Sequence, residues 1–287
     1  MNSSIDHYAV FGNPIKHSKS PQIHSLFAKQ TGQSLIYTAE LAEIGHFAEA
    51  VQNFLKDNGK GLNVTVPFKE DAWQLADTHS ERAKRAGAVN TLKLEKDGHL
   101  FGDTTDGAGL VQDLIRNHQV SIKGKSILII GAGGAVRGIL QAFLEQDPDS
   151  ILIANRTAKK AIQLANDFSD LGQIHNSTIE GCGLNELENR HFDIVINGTS
   201  ASLQGELPPI PDSIFNENAC SYDMMYATQD TVFMKWSAEN GATEVYDGLG
   251  MLVEQAAESF YIWRGVKPET APVIQSIREM LTQAQGS

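Results

Sequence analysis

The sequence predicts an α/β protein of two domains, the second a Rossmann-like doubly wound unit. Three observations carry this. The chain has 287 residues, and a domain usually takes roughly 100–200, so two are favoured over one. Short apolar runs alternate with amphipathic stretches, the pattern of strands and crossover helices in a parallel sheet. A near-continuous apolar run, Ser126–Ile130, leads into Gly131-Ala132-Gly133-Gly134 and then a helical stretch, as a strand covered on both faces leads into a ligand-binding turn.

The elements follow in order. Tyr8–Phe11 reads as a short buried strand, broken by Gly12-Asn13-Pro14. Pro21–Thr31 has helical spacing, with Ile23, Leu26 and Phe27 on one face. Leu35–Leu41 reads as a strand, Phe47–Asn58 as a helix ended by Gly59, and Gly61–Val66 as a strand stopped by Pro67. A hairpin is expected from Ala88–Leu94, a turn at Lys96-Asp97-Gly98, and Leu100–Gly102. Gly107–Asn117 reads as a connecting helix, and Ser121–Lys125 as a polar boundary. Beyond Ser126–Ile130 the spacing predicts a helix over Ala135–Glu145, a strand over Ser150–Ala154 and a helix over Ala158–Phe168. Strands follow at Phe192–Asn197 and Ala219–Asp223, then amphipathic helices at Met251–Trp263 and Ala271–Gln283.

Composition excludes several classes. Apolar residues make up 41% and charged residues 20%, an ordinary globular balance. The formal net charge of −12 argues against a nucleic-acid partner, because phosphate backbones call for a basic face. The N-terminal stretch Met1–Val10 lacks a basic segment followed by an apolar one, and the longest apolar run, Ile127–Ile130, is far too short to span a membrane. The two cysteines, Cys182 and Cys220, form no CxxC, and no HExxH occurs, so no metal site is expected. A cytoplasmic protein with no membrane partner is the expectation.

The glycine turn Gly131-Ala132-Gly133-Gly134-Ala135 has the setting of a dinucleotide fingerprint, although Val136 stands where a third glycine or alanine is usual. Its glycines allow close approach of backbone to a pyrophosphate, and the helix start offers unpaired N–H groups. After the next strand an NAD site would carry a carboxylate for the ribose 2′-hydroxyl. Here Asn155-Arg156-Thr157 stands, with Lys159 and Lys160 behind it. Arg156 can pair with a 2′-phosphate that a carboxylate would repel, so the cofactor expected is NADP. The bland alternative is a solvated basic loop with Thr157 as helix cap.

The first unit offers polar groups in short motifs. Ser18 and Ser20 can jointly donate to a carboxylate, or simply cap a helix. Asn63 and Thr65 share one face of the expected strand, and Lys69 sits just past its carboxyl end, where α/β sheets place ligands. Gly87-Ala88-Val89-Asn90-Thr91 and Gly102–Gly107 add an amide and a carboxylate, Asp106.

These segments together resemble the shikimate dehydrogenase family over nearly the full length. They are Gly12–Pro21, Asn63–Lys69, Gly87–Thr91, Thr105–Gly107, Gly131–Ala135, Asn155–Thr157, Asp223–Tyr226 and Asp247–Gln255. The resemblance implies an NADP-dependent enzyme reducing 3-dehydroshikimate to shikimate. It implies Lys69 and Asp106 as the catalytic pair. Ser18, Ser20, Asn63, Thr65, Asn90, Asp106, Tyr226 and Gln255 would bind substrate. Glu81, Gly131, Ala132, Gly133, Gly134, Ala135, Asn155, Arg156, Thr157, Lys160, Met224 and Gly248 would bind cofactor. The C-terminal helices would return to the first domain, giving a substrate domain of 1–107 with 250–287 and an NADP domain of 108–249. Either a monomer or a homodimer fits. The rival readings are a dual quinate/shikimate dehydrogenase and a non-catalytic NADP-binding sensor.

Overall fold

The computed structural model describes residues 5–283. The described residues divide into two compact units, 5–109 with 253–280 and 110–252 with 281–283.

The first unit holds β1 (Asp6–Gly12), α1 (Ser20–Thr31), β2 (Leu35–Leu41), α2 (Phe47–Lys56), β3 (Gly59–Val64), α3 (Lys69–Leu75), β4 (Thr78–His79), α4 (Glu81–Ala86), β5 (Thr91–Leu94) and β6 (Leu100–Asp103). α5 (Asp106–Gln112) begins here and runs into a π-helical turn, Asp113–Asn117. The sheet order is β2-β1-β3-β5-β6-β4. β1 pairs in parallel with β2 and β3, and β4 with β6, whereas β5 runs antiparallel to β3 and β6. The sheet is therefore mixed, because the Lys96-Asp97-Gly98 turn folds β5 and β6 into a hairpin. Period-two alternation sorts β1 cleanly: Ala9 and Phe11 join a core with Phe47, Val51, Leu62 and Phe68, while Tyr8 and Val10 pack with Ile15 and Tyr37.

Strand β3 is shifted from its expected span, ending at Val64. Thr65 still donates its N–H to Phe11 O at 2.9 Å, but Phe68 N–H then turns back to Thr65 O at 3.1 Å. Pro67 has no N–H to continue a ladder. Thr65 thus lies on the turn beyond the strand rather than on its face. α3, α4 and β4 are too short to show a period in the sequence, and no expectation covers them.

The second unit holds β7 (Ser126–Ile130), α6 (Gly134–Leu144), β8 (Ser150–Asn155), α7 (Ala158–Asp167), α8 (Ser169–Ile174), β9 (Thr178–Gly183), β10 (Phe192–Asn197), β11 (Phe215–Asp223), α9 (Val232–Glu239) and β12 (Glu244–Asp247). Its six strands are all parallel, in the order β12-β11-β10-β7-β8-β9. That is the doubly wound arrangement, with the switch point between β7 and β10. Both faces are buried: Ile127, Ile129, Ile151, Ile153, Ile194 and Ile196 share one core, and Leu128, Ile130, Leu152, Ala154 and Val195 the other. α8, β9, α9 and β12 likewise lie outside the elements expected from sequence.

The chain ends in α10 (Leu249–Arg264) and α11 (Ala271–Gln283), most of which belongs to the first unit. There Trp263 stacks on Tyr8 at 4.8 Å and donates Nε1–H to Leu92 O at 2.9 Å. Residues 253–264 of α10 thereby put Gln255 and Ser259 against the β3–β5 part of the first sheet. No described helix is long and apolar enough to cross a membrane.

Candidate active site

Lys69 opens α3, immediately after Phe68, whose buried ring stacks on Phe47 at 5.0 Å. Its carbonyl accepts Val89 N–H at 2.9 Å, which ties the start of α3 to the loop carrying Asn90. Asp106 opens α5, just beyond β6. Lys69 Nζ donates to Asp106 Oδ2 at 2.5 Å, with side chains 26% and 12% exposed. Asn90 Nδ2 donates to the other oxygen, Oδ1, at 2.9 Å. The same amide nitrogen lies 3.3 Å from Gln255 Oε1. An ammonium thus stands beside a carboxylate whose second oxygen is held by an amide, and the lysine keeps a solvent-facing side.

Asn63 is buried in the same network. Its Oδ1 accepts from Tyr37 Oη at 2.8 Å, and its Nδ2 donates to Asn90 O at 3.1 Å and Ser259 Oγ at 2.9 Å. Burial raises the Tyr37 phenol well above its ordinary range, with a Ser20 hydrogen bond opposing, so Tyr37 remains a donor. Ser20 is buried at the first turn of α1, and Ser18 Oγ accepts its N–H at 3.3 Å. The cap position is Lys19, which makes no side-chain capping bond, so the capping alternative for the two serines finds no support beyond that long contact.

Behind this cluster Asp103 is 6% exposed and clamped by Arg82, at 2.8 Å through both Nε and Nη2, and by Ser80 Oγ. Asp103 Oδ1 also accepts Thr104 N–H at 2.7 Å. This clamp holds the end of β6, three residues before Asp106.

In the second unit Gly131 has φ of +111°, a conformation that suits glycine, and its N–H donates to Ala154 O at 2.8 Å. Gly133 and Gly134 are exposed, and a Cβ built on either meets nothing within 4 Å. Gly133 is the N-cap of α6 and supplies no side chain, so no capping side chain satisfies the first N–H groups of α6. Alongside lies a pocket of about 410 Å³ lined by Ala132, Arg137, Thr157, Lys159 and Lys160, among others. Arg156 is exposed, and Asn155 Nδ2 holds the turn by donating to Thr157 O at 3.1 Å. Thr157 occupies the cap position of α7 but makes no capping bond, contrary to the bland reading.

Met224 and Gly248 come together at the ends of β11 and β12. Gly248 N–H donates to Met225 O at 3.1 Å, and a Cβ at 248 would sit 2.2 Å from Met224 O. Burial and the neighbouring Asp247 charge raise the Tyr226 phenol, keeping it a neutral donor.

Residues 10–92 match a model of the shikimate dehydrogenase substrate binding domain, 113–204 a model of shikimate / quinate 5-dehydrogenase, and 248–278 a model of the shikimate 5′-dehydrogenase C-terminal domain. A shikimate dehydrogenase (NADP(+)) of Cellvibrio japonicus is 54% identical over 276 residues, 96% of this chain and 98% of the relative. The chain belongs to the shikimate dehydrogenase family. Among solved structures of similar fold, an Ael1 enzyme from Pseudomonas putida shares 43% identity at a TM-score of 0.87, covering 94% of this chain and 97% of that one. The shikimate 5-dehydrogenase from Thermus thermophilus in complex with NADP(H) and shikimate shares 28% identity at a TM-score of 0.83, covering 96% and 99%.

For this family member, the fold gathers Lys69, Asp106, Asn90, Asn63 and Gln255 into one hydrogen-bonded cluster. It keeps Thr65 at the rim, against Gly12. Glu81 stands apart on α4, exposed and paired with Lys84 at 2.6 Å. Sequence reasoning assigns no role to Tyr37, Thr91, Thr105 or Ser259, all of which bond into the cluster. Tyr37 on β2 and Ser259 on α10 stand in no motif, and although Thr91 and Thr105 belong to the Gly87–Thr91 and Thr105–Gly107 segments, only the fold brings the four hydroxyls together. Among the described residues no group of three or more His, Cys, Asp or Glu could hold a metal.

Proposed function

We propose that this chain is an NADP-dependent shikimate dehydrogenase, reversibly reducing 3-dehydroshikimate to shikimate. The observation that carries the reading is the Lys69–Asp106 pair, braced by Asn90 and Gln255. The substrate site belongs to 1–107 with 250–287, and the cofactor site to 108–249.

The second unit fits the cofactor. The open N-terminus of α6 suits a pyrophosphate held by Gly131, Ala132, Gly133, Gly134 and Ala135. Arg156, Thr157 and Lys160, with Asn155 holding their turn, suit a 2′-phosphate. Met224 and Gly248 would line the nicotinamide. Bound NADPH supplies the hydride that reduces the C3 ketone.

The chain supplies the rest. Ser18 and Ser20 bind the substrate carboxylate. Thr65, Asn90, Asp106 and Gln255 orient the ring hydroxyls, and Asn63, with one acceptor lone pair not taken by Tyr37, accepts one more bond. Lys69 donates a proton to the C3 oxygen as negative charge develops there, and its own charge stabilises that oxygen. In the reverse direction Lys69 takes the proton from the C3 hydroxyl. Asp106 holds the ammonium in place and accepts from the neighbouring hydroxyl. The enzyme acts in the cytoplasm as a monomer or homodimer; its buried free thiols, Cys182 and Cys220, suit a reducing compartment.

The test is the appearance of reduced nicotinamide when the purified protein meets shikimate and NADP, with quinate and NAD as controls. Rapid turnover with shikimate and NADP alone supports the proposal. Equal turnover of quinate replaces it with the dual-substrate reading. Tight NADP binding with no turnover replaces it with the sensor.

A further inference from the structure

We infer that Thr91 and Ser259 are positioning residues, two buried hydroxyls that transmit the orientation of Asn63 to Asn90 and so hold Asp106 against Lys69. The inference rests on the proposed dehydrogenase reading and adds to it residues with no expected contact to substrate or cofactor.

The argument begins with amide direction. An asparagine amide can sit in two orientations of nearly equal shape, and only its hydrogen-bond partners choose between them. Asn90 O is a backbone carbonyl and can only accept, so the Asn63 atom 3.1 Å from it is nitrogen, and the oxygen on the other side accepts from Tyr37 at 2.8 Å. Asn63 Nδ2 therefore faces the other way, 2.9 Å from Ser259 Oγ and 3.2 Å from Thr91 Oγ1. Ser259 Oγ and Thr91 Oγ1 are 2.7 Å apart, and Thr91 donates to Asn90 Oδ1 at 2.8 Å. One consistent set of protons runs Tyr37 to Asn63, Asn63 to Ser259, Ser259 to Thr91, Thr91 to Asn90.

The consequence falls on Asp106. With Asn90 Oδ1 turned to Thr91, its Nδ2 must face Asp106 Oδ1, where it donates at 2.9 Å. A reversed Asn90 would put a carbonyl oxygen against the carboxylate and push Asp106 from its 2.5 Å contact with Lys69. Thr105 N–H gives Asn90 Oδ1 a further donor at 2.9 Å. The orientation is thus doubly secured, and loss of one hydroxyl loosens it rather than reverses it.

Burial makes these hydroxyls costly to retain without a role in polar satisfaction. Thr91 and Ser259 are each 0% exposed. Buried hydroxyls persist where every proton and lone pair finds a partner, and such networks specify one arrangement. Ser259 Oγ also lies 3.0 Å from Gln255 O, the other acceptor within reach of its single proton, which keeps the turn of α10 that carries Gln255 beside the same hub.

The experiment compares Thr91→Val, which keeps the shape and loses the hydroxyl, with Thr91→Ser, which keeps the hydroxyl and loses a methyl. Ser259→Ala and the double variant Thr91→Val/Ser259→Ala complete the set. Steady-state kinetics with shikimate and NADP and thermal midpoints are measured on each. Expected are a roughly tenfold lower kcat for Thr91→Val and for Ser259→Ala, an unchanged KM for NADP, and near wild-type kcat for Thr91→Ser despite a lowered midpoint. The double variant should lose no more than the worse single variant, because both act on one chain of bonds. Midpoints that fall while kcat stays at the wild-type value would overturn the inference and leave the dehydrogenase reading standing. If the wild type itself turns over no shikimate, that reading fails instead. Crystal structures of Thr91→Val and Ser259→Ala then decide the geometry: an unmoved Asn90–Asp106–Lys69 arrangement overturns the inference, and a displaced Asp106 sustains it.

Discussion

Replacing Lys69 by methionine keeps a long unbranched side chain and removes the ammonium alone. The size of the loss follows from the site. Lys69 is 26% exposed and its partner 12% exposed, so the pair sits at the edge of the protein interior, where an effective dielectric near 20 applies. A unit charge about 4 Å from a developing alkoxide is then worth about 4 kcal/mol. At about 1.4 kcal/mol per decade this is about three decades of rate, within the roughly 10²–10⁴ usual for a positioned acid or base. The assay is the initial rate of shikimate oxidation, read from reduced nicotinamide. Lys69→Met should lower kcat about a thousandfold while the KM for NADP and the thermal midpoint hold. Asp106→Asn keeps the shape but removes the charge that anchors the ammonium, and should cost between ten- and a thousandfold. A Lys69→Met protein within threefold of wild type would refute the assignment of the proton and the charge to this residue.

Three further perturbations probe the rest of the molecule. Arg156→Asp replaces a phosphate-pairing cation by a carboxylate beside the exposed turn of Asn155; charge-assisted bonds are worth about 1.5–3 kcal/mol, so kcat/KM for NADP should fall at least tenfold while that for NAD holds or rises. His24 is wholly buried, stacked on Tyr37 at 4.1 Å, and burial lowers its pKa to about 3. It stays neutral in the folded protein while the unfolded chain takes up a proton below about 6.5, so the stability it allows is complete above that pH and is lost as pH falls towards 3, by up to about 1.4 kcal/mol per pH unit. Denaturant titrations of His24→Phe should therefore show a shallower acid limb, and equal slopes in both proteins would refute this. Arg82→Met leaves the 6%-exposed Asp103 without its fork; breaking such a pair costs about 3 kcal/mol, to be read as a lower midpoint in urea.

How much of this was legible without coordinates depended on whether the signal was local. The run from Ser126 through Gly134 shows a strand, a turn and a helix start in nine consecutive residues, and the structure places all three there. Strands β7 and β10 announce themselves because both faces of each are covered, which calls for near-continuous apolar runs such as Ile127–Ile130 and Ile194–Ile196. β9 carries Thr178, Glu180 and Gly181 at the sheet edge, and β12 is four residues long, so neither shows a run. The antiparallel pairing of β5 with β3 was also hidden, since register belongs to the sheet and not to either strand. Lys69 and Asp106 stand in recognisable motifs, but their motifs are 37 residues apart, and only β3, α3, β6 and α5 acting as fixed supports turn two loop ends into an ion pair.

The polar network shows the same limit more sharply. Asn63 reads from sequence as one more substrate contact. In the fold both its amide protons and one of its oxygen's lone pairs are consumed by protein groups. What a residue can offer a ligand is what remains after its neighbours are satisfied, and those neighbours come from β2, β5 and α10, as far as 196 positions away. A hydroxyl such as Ser259, one turn beyond Gln255 in an apolar helix, has no sequence signature at all. Its role follows from counting donors and acceptors in a fully buried space, because there an unfilled amide position costs about 1–3 kcal/mol. The surface proposed to face substrate is therefore set from behind, by groups that exhaust each other's hydrogen bonds.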